Sequence, residues 1–202
     1  MELNFDSPVI LVGDGPINAE RLRVLGGLPI IAVDGGANAL RSINLNFEFV
    51  MGDMDSVVPE LLAQISNEKI IRLDDQNACD FEKVLAVINA PKIYGFGFLG
   101  GRLDHSIEAL RIISMTTTPI DLIGVDESAF VWPAGAHRNM SIGQRVSLLS
   151  FGKCHVNVSF GLTYSLDGLT IEPSYMSLSN EVDEKEVAIS YEGAPLVAII
   201  SN

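Results

Sequence analysis

Cysteine is nearly absent from this sequence: Cys79 and Cys154 are its only two. Two thiols make neither a disulfide framework nor a zinc site, and a reducing compartment is their expected home. Charge is also scarce, 19% of residues against 48% apolar, which excludes a disordered chain. Cations are the scarcest charge, with 13 Lys and Arg against 26 Asp and Glu and a net charge of −13. Such a chain lacks the basic footprint of a nucleic-acid or anionic-membrane binder. An anionic small molecule would need a few local cations or a bound metal. No apolar run approaches the roughly 20 residues of a membrane span. The start, Met-Glu-Leu-Asn-Phe-Asp, has neither the basic residues nor the apolar run of a secretory leader, which predicts a soluble, cytoplasmic protein. Also missing are the Gly-x-x-x-x-Gly-Lys-Ser/Thr loop and the protein-kinase signature set, so neither large phosphotransferase class applies.

What is present is an alternation of strands and helices. At 202 residues the chain is long enough for one large domain or two small ones, burying on the order of 70% of its unfolded surface. Apolar runs at 8–13, 29–33, 49–51, 69–73, 92–96 and 120–125 read as strands. Helical patterns fall between them, at 18–25, 37–43, 59–65, from Asp80 onward, and at 104–115. The helix from Asp80 presents Phe81, Val84, Leu85 and Ile88 on one face, with Asp80 as its expected N-cap. Strand–helix alternation predicts an α/β fold with a parallel sheet over residues 1–126. From 127 to 202 the texture is short runs between glycine and polar turns; Val156, Val158 and Phe160 alternate with Asn157 and Ser159. That predicts a small all-β sandwich or barrel.

The chemistry concentrates where the predicted strands end. Val50-Met51-Gly52-Asp53-Met54-Asp55-Ser56 is an apolar strand that stops at a glycine and then presents two carboxylates. Ligands of parallel α/β sheets bind at the carboxyl ends of strands. Paired carboxylates there repel each other and call for a cation, and hard oxygen ligands suit magnesium. Three more such loops follow the same logic: Asp34-Gly35-Gly36, Asp75-Gln76-Asn77-Ala78-Cys79-Asp80, and Gly100-Gly101-Arg102-Leu103-Asp104-His105. Each has an ordinary reading as a tight turn, a helix cap or a surface ion pair. Their joint placement on one sheet edge predicts metal-assisted transfer of a phosphate-containing group. Magnesium would sit at Asp53, Asp55 or Asp80. Glycine loops would admit phosphates to backbone N–H groups, and Arg102 would supply a planar cationic fork. An aspartate near the acceptor hydroxyl would take or orient its proton.

These motifs resemble the thiamine pyrophosphokinase family in order and spacing. The match rests on Asp34-Gly35-Gly36-Ala37-Asn38, Gly52-Asp53-Met54-Asp55-Ser56, Asp80-Phe81-Glu82-Lys83 and Gly100 to His105. Gly161-Leu162-Thr163-Tyr164-Ser165-Leu166 and Ser179-Asn180-Glu181 add to it. The resemblance implies transfer of the pyrophosphoryl group of ATP to the hydroxyl of thiamine, giving thiamine diphosphate and AMP. It further implies an α/β domain for ATP and Mg2+, a β-sandwich domain for thiamine, and a homodimer with clefts between subunits. By match, Asp53, Asp55 and Asp80 fall on metal and phosphate positions, and Asp104 shares the loop of Arg102. Asp34, Gly35, Gly36, Gln76, Gly100, Gly101 and Arg102 fall at the nucleotide, and Ser179 and Asn180 at thiamine. Cys79 stands where the family usually has Thr, and a thiol is the weaker donor. Met176-Ser177-Leu178 precede Ser179 where Gly-Thr is common, which alters the expected thiamine pocket. Trp132 offers a face for a flat cation but is read first as core.

Rivals of the same chemistry are a pyrophosphokinase or phosphatase for another small alcohol or phosphate ester. A haloacid-dehalogenase-like phosphatase also carries Asp-x-Asp after a strand, but here no catalytic Lys is evident. A non-catalytic nucleotide or thiamine sensor would not need the full set of carboxylates. The substitution Asp55→Asn is expected to abolish magnesium-dependent turnover with an unchanged melting temperature, because a solvent-facing carboxylate adds little stability. Retention of most activity would remove the acidic centre from the reaction.

Overall fold

The computed structural model describes residues 2–75 and 77–202. The chain divides into two compact units, Met1–Ala109 with Thr117–Val125, and Leu110–Thr116 with Asp126–Asn202.

The first unit is a mixed α/β assembly. Its strands are β1 Leu3–Asn4, β2 Val9–Val12, β3 Ile30–Val33, β4 Phe49–Gly52, β5 Ile70–Arg72, β6 Ile88–Asn89, β7 Ile93–Phe96 and β8 Ile120–Ile123. Its helices are α1 Ala19–Val24, α2 Gly36–Ser42, α3 Pro59–Leu62, α4 Asp80–Leu85 and α5 Leu103–Met115, the last turns of α5 grouping with the second unit. Six strands run in the order β8-β7-β2-β3-β4-β5, and neighbouring strands pair in parallel. Parallel strands read as continuous apolar runs because both faces are covered, and β2, Val-Ile-Leu-Val, is buried at every position. Local signals act as expected at helix starts. The Asn18 side chain accepts the Arg21 amide at 3.1 Å, and Pro59 opens α3.

The order reverses at β2, which has β3 on one side and β7 on the other. Here the backbones of two loops meet. The Gly15 amide donates to the Gly97 carbonyl at 2.9 Å, and a Cβ on Gly97 would come within 2.4 Å of the Gly13 carbonyl oxygen. Gly36 is equally constrained, since its Cβ would stand 1.8 Å from the Val12 carbonyl oxygen. That contact lets α2 start directly against the end of β2.

Helix α4 is shorter than its apolar face suggests. It ends at Leu85, and Ile88 is in β6, paired in parallel with Leu3 of β1. The amides of Leu3 and Phe5 take the carbonyls of Val87 and Asn89 at 2.8 and 2.9 Å, so pairing with the N-terminal segment overrides the helical period. Nor does Asp80 cap the helix. Cys79 is the N-cap and makes no side-chain cap bond, while Asp80 is the first helical residue.

The second unit holds two sets of antiparallel strands. With β9 Glu127–Trp132, β10 His137–Asn139, β11 Arg145–Leu149, β12 Cys154–Phe160, β13 Thr170–Ile171, β14 Ser177–Glu181, β15 Glu186–Gly193 and β16 Leu196–Ser201, the orders are β14-β11-β16-β9 and β10-β15-β12-β13. One apolar core joins them, with Trp132, Leu148, Val156, Ile171, Ile189 and Leu196 each fully buried. Trp132 is therefore core, its indole N–H donating to the Ala136 carbonyl at 3.2 Å. Among the described residues, no helix is long and apolar enough to cross a membrane.

Candidate active site

Three carboxylates converge at the carboxyl ends of β3 and β4. The ligand oxygens of Asp34, Asp53 and Asp80 lie within 4.8 Å of one another. Asp34 follows β3 with its amide donating to the Met51 carbonyl of β4 at 2.8 Å. Gly52 ends β4 at φ 143°, where a side chain is disfavoured; its Cβ would lie 2.9 Å from Asp34 Cβ and 3.4 Å from Asp80 Oδ1. Asp34 and Asp80 thus close on a position only glycine fits, and Asp53 follows it in the chain. Two non-glycine residues here are left-handed, Asp34 at φ 44° and Met54 at φ 70°. Such strain, on the order of 1 kcal/mol per residue, gathers at functional sites. At Met54 it turns the chain so that Asp53 and Asp55 both leave the strand end.

A buried cation holds two of the three. Lys83 is 8% exposed, and its ammonium donates to Asp80 Oδ1 at 2.9 Å and reaches Asp53 Oδ2 at 3.4 Å. Burial opposes its charge, yet the hydrogen bonds and charges of Asp80 and Asp53 prevail and hold its pKa above the ordinary lysine value. On Asp53 the Asp55 amide, donating to Oδ1 at 3.2 Å, and Lys83 outweigh desolvation and hold the carboxyl below its ordinary pKa. Arg72 donates to the Asp53 carbonyl at 2.9 Å.

Asp34 is the opposite case. It is 5% exposed, and its Oδ1 is a buried side-chain oxygen that finds no hydrogen-bond partner among the described residues. Burial pushes its carboxyl up against the pull of Ser56 and the Gly35 amide, and the charges of Asp80 and Asp55 add to the rise. A buried carboxylate oxygen beside two more carboxylates is a hard-oxygen donor set of the kind that suits a divalent cation. Mg2+ fits these residues.

The other expected site residues fall as follows. Asp55 is outside the convergent trio; it is exposed and accepts the Ser56 hydroxyl at 2.9 Å. Gly35 precedes α2 and Gly36 opens it. Gly35 lies against another acidic residue, for its Cβ would meet Asp14 Cγ at 2.8 Å. Gly100, at φ 79°, and Gly101 pack beside Pro16 and Gly15 at the strand-order reversal. Arg102 and Asp104 form a two-point ion pair, Nε to Oδ1 at 3.2 Å and Nη2 to Oδ2 at 2.6 Å, with both side chains exposed. That pairing, first through its hydrogen bond, lowers the Asp104 pKa and raises that of Arg102. Gln76 lies outside the described residues. In the second unit Ser179 is exposed and left-handed at φ 56°. Asn180 is 1% exposed, with both ends of its amide bound to the Tyr164 backbone, at 3.1 Å from the amide and 2.7 Å to the carbonyl.

Residues 28–122, which contain all three convergent carboxylates and Lys83, match the family model for thiamin pyrophosphokinase, catalytic domain. Over those residues, just under half of the chain, the sequence is similar to the thiamin pyrophosphokinase family. Thiamine pyrophosphokinase 1 of Oryza sativa subsp. japonica is 27% identical, the match covering 83% of this chain and 71% of the relative. Among solved structures, thiamin pyrophosphokinase from Candida albicans superposes with a TM-score of 0.84 at 17% identity, covering 97% of this chain and 89% of that one. Thiamine pyrophosphokinase from Bacillus subtilis gives 0.79 at 21% identity, covering 97% and 99%. The mixed α/β fold with its large sheets is the one these enzymes share.

Sequence reasoning held Lys83 only as part of the Asp80–Lys83 motif and set Asp34 at the nucleotide; the folded chain brings both to Asp53 and Asp80. The i,i+3 spacing of Asp80 and Lys83 carried the first signal.

The burial of Asp34 gives a signed prediction. Because its folded pKa lies above the unfolded value, the stability it permits is complete below the ordinary carboxylate range and is lost as pH rises through the raised pKa. The isosteric Asp34→Asn, tolerated at positive φ, is expected to raise the neutral-pH melting temperature. It should also flatten that pH dependence and weaken Mg2+ binding about tenfold or more. Thermal melts across pH and calorimetric titration check both; a destabilised variant with unchanged Mg2+ affinity would contradict the assignment.

Proposed function

We propose that this chain transfers the pyrophosphoryl group of ATP to the hydroxyl of thiamine. The observation that carries the reading is the convergence of Asp34, Asp53 and Asp80 around Gly52, with Lys83 buried against two of them, inside the region that matches the thiamin pyrophosphokinase model. Mg2+ held by these carboxylates, with Asp55 at the exposed rim, would supply charge neutralisation at the phosphates of ATP. The residues of the chain do the remainder. Lys83, one positive charge shared by two carboxylates, offsets one of the three negative charges and keeps Asp53 and Asp80 aimed together. The glycine loops after β2 and β7, at the strand-order reversal, present backbone to a nucleotide as doubly wound sheets do. Arg102 exchanges its exposed partner Asp104 for a phosphate, a stronger bidentate match. The thiamine hydroxyl oxygen attacks the β-phosphorus, the bond from that phosphorus to the α,β-bridging oxygen breaks, and AMP leaves. The hydroxyl proton passes to a carboxylate of the site.

The second unit serves thiamine in this reading. Asn180 fixes the Gly161–Leu166 segment through Tyr164, and the exposed Ser179 faces the substrate. A cytoplasmic homodimer fits the composition and the exposed apolar side chains Val158, Phe160, Tyr164 and Leu178; a monomeric sedimentation mass would remove the dimer.

The test is an assay of purified protein with ATP, Mg2+ and thiamine, with products read by mass. Equal amounts of AMP and thiamine diphosphate are expected. ADP with thiamine monophosphate would replace pyrophosphoryl by phosphoryl transfer, and thiamine binding without product would make the chain a sensor.

A further inference from the structure

A cleft of about 640 Å³ opens in the first unit at the edge opposite the carboxylates, where chain segments enter β4 and β5. Its apolar wall is Leu45, Phe47, Leu61 and Ile65, all partly buried and packed on the core. Two cations, Arg41 and Lys69, line the same space. In a chain with 26 acidic residues against 13 basic ones, the ten lining side chains include both of these cations and no carboxylate. The lining is therefore cationic in an acidic chain.

Both cations are held by neutral groups. Lys69 Nζ donates to the Phe47 carbonyl at 3.3 Å, and Arg41 Nη2 reaches Gln64 Oε1 at 3.5 Å, the limit of a hydrogen bond. The Glu68 carboxylate beside the rim accepts the Ser66 hydroxyl at 3.1 Å. The wall itself is preformed. Asn44 is left-handed at φ 55°, its amide donates to the Arg41 carbonyl at 3.2 Å, and the Leu45 amide donates to the Leu40 carbonyl at 3.0 Å. That is a Schellman closure of α2, which turns Leu45 inward. Arg23 adds a bond to the Ile43 carbonyl at 3.0 Å and so fixes the end of α2 from a second side.

We propose that this cleft binds a small organic phosphate monoester. Its phosphoryl group lies between Arg41 and Lys69, and its apolar body lies on Leu45, Phe47, Leu61 and Ile65. Arg supplies a fork and Lys a point charge, the pair suited to a phosphate dianion. The volume falls within the range of small-molecule sites, on the order of 300–1,000 Å³. The site is separate from the transfer reaction and does not rest on it.

Phenyl phosphate is the probe, titrated into the isotope-labelled full chain while backbone amide shifts are followed. Saturable shifts confined to Asn44–Phe47, Gln64–Ser66 and Lys69 are expected. Lys69→Gln, and the double variant with Arg41→Gln, should each weaken binding about tenfold or more and leave pyrophosphoryl transfer unchanged. If the double variant fails to fold, Lys69→Gln alone decides. No shifts at these amides, shifts only near Asp34, Asp53 and Asp80, or equal binding of uncharged benzyl alcohol would each overturn the proposal.

Discussion

The ion cluster of Lys83 with Asp53 and Asp80 is the constraint on which the site depends. Three carboxylates within 4.8 Å, one of them buried, would drive one another apart or into protonation without a nearby positive charge. Lys83 supplies that charge from inside the first turns of α4, so the helix start and the end of β4 are tied together electrostatically. The tie is incomplete: among the described residues Asp34 keeps a buried oxygen without a partner, and one ammonium faces three carboxyl groups. Such a donor set suits the divalent ion proposed above.

Close backbone approach is the second constraint, and it explains the glycines. Gly36 against Val12, Gly52 against Asp34, and Gly97 against Gly13 leave no room for a Cβ. Each contact draws a loop at the carboxyl edge inward, and together they bring strand ends that are distant in sequence to one crevice. The same edge carries the left-handed Asp34 and Met54. Strain, buried charge and close packing coincide there, while the interior strands satisfy ordinary rules of burial.

Much of this was legible from residues alone, for physical reasons that differ by element. The parallel sheet was readable because strands buried on both faces are continuous apolar runs, as in β2 and β3. The acidic centre was readable because Gly52-Asp53-Met54-Asp55 breaks such a run abruptly. The limits are equally specific. Ile88 fits a helical face, but the pairing of Leu3 with Ile88 is long-range and local periodicity contains no trace of it. β14 escaped because Ser-Leu-Ser-Asn-Glu has no alternation of apolar residues and carries a left-handed residue at Ser179. Asp34 looked like a turn residue; its place among the carboxylates depends on the Asp34–Met51 backbone bond and on Gly52, which only the folded chain brings together. Asn180 has the chemistry of a ligand contact, yet its amide is spent on the Tyr164 backbone.

Asp34, Asp53 and Asp80 are proposed to form one cation site. Manganese, a hard ion that accepts the same oxygen ligands as magnesium, locates it directly by anomalous scattering from crystals soaked with the metal. A peak in contact with carboxylate oxygens of all three residues is expected. A peak on Asp53 and Asp55 that leaves Asp34 without metal, or manganese bound only elsewhere, would contradict it.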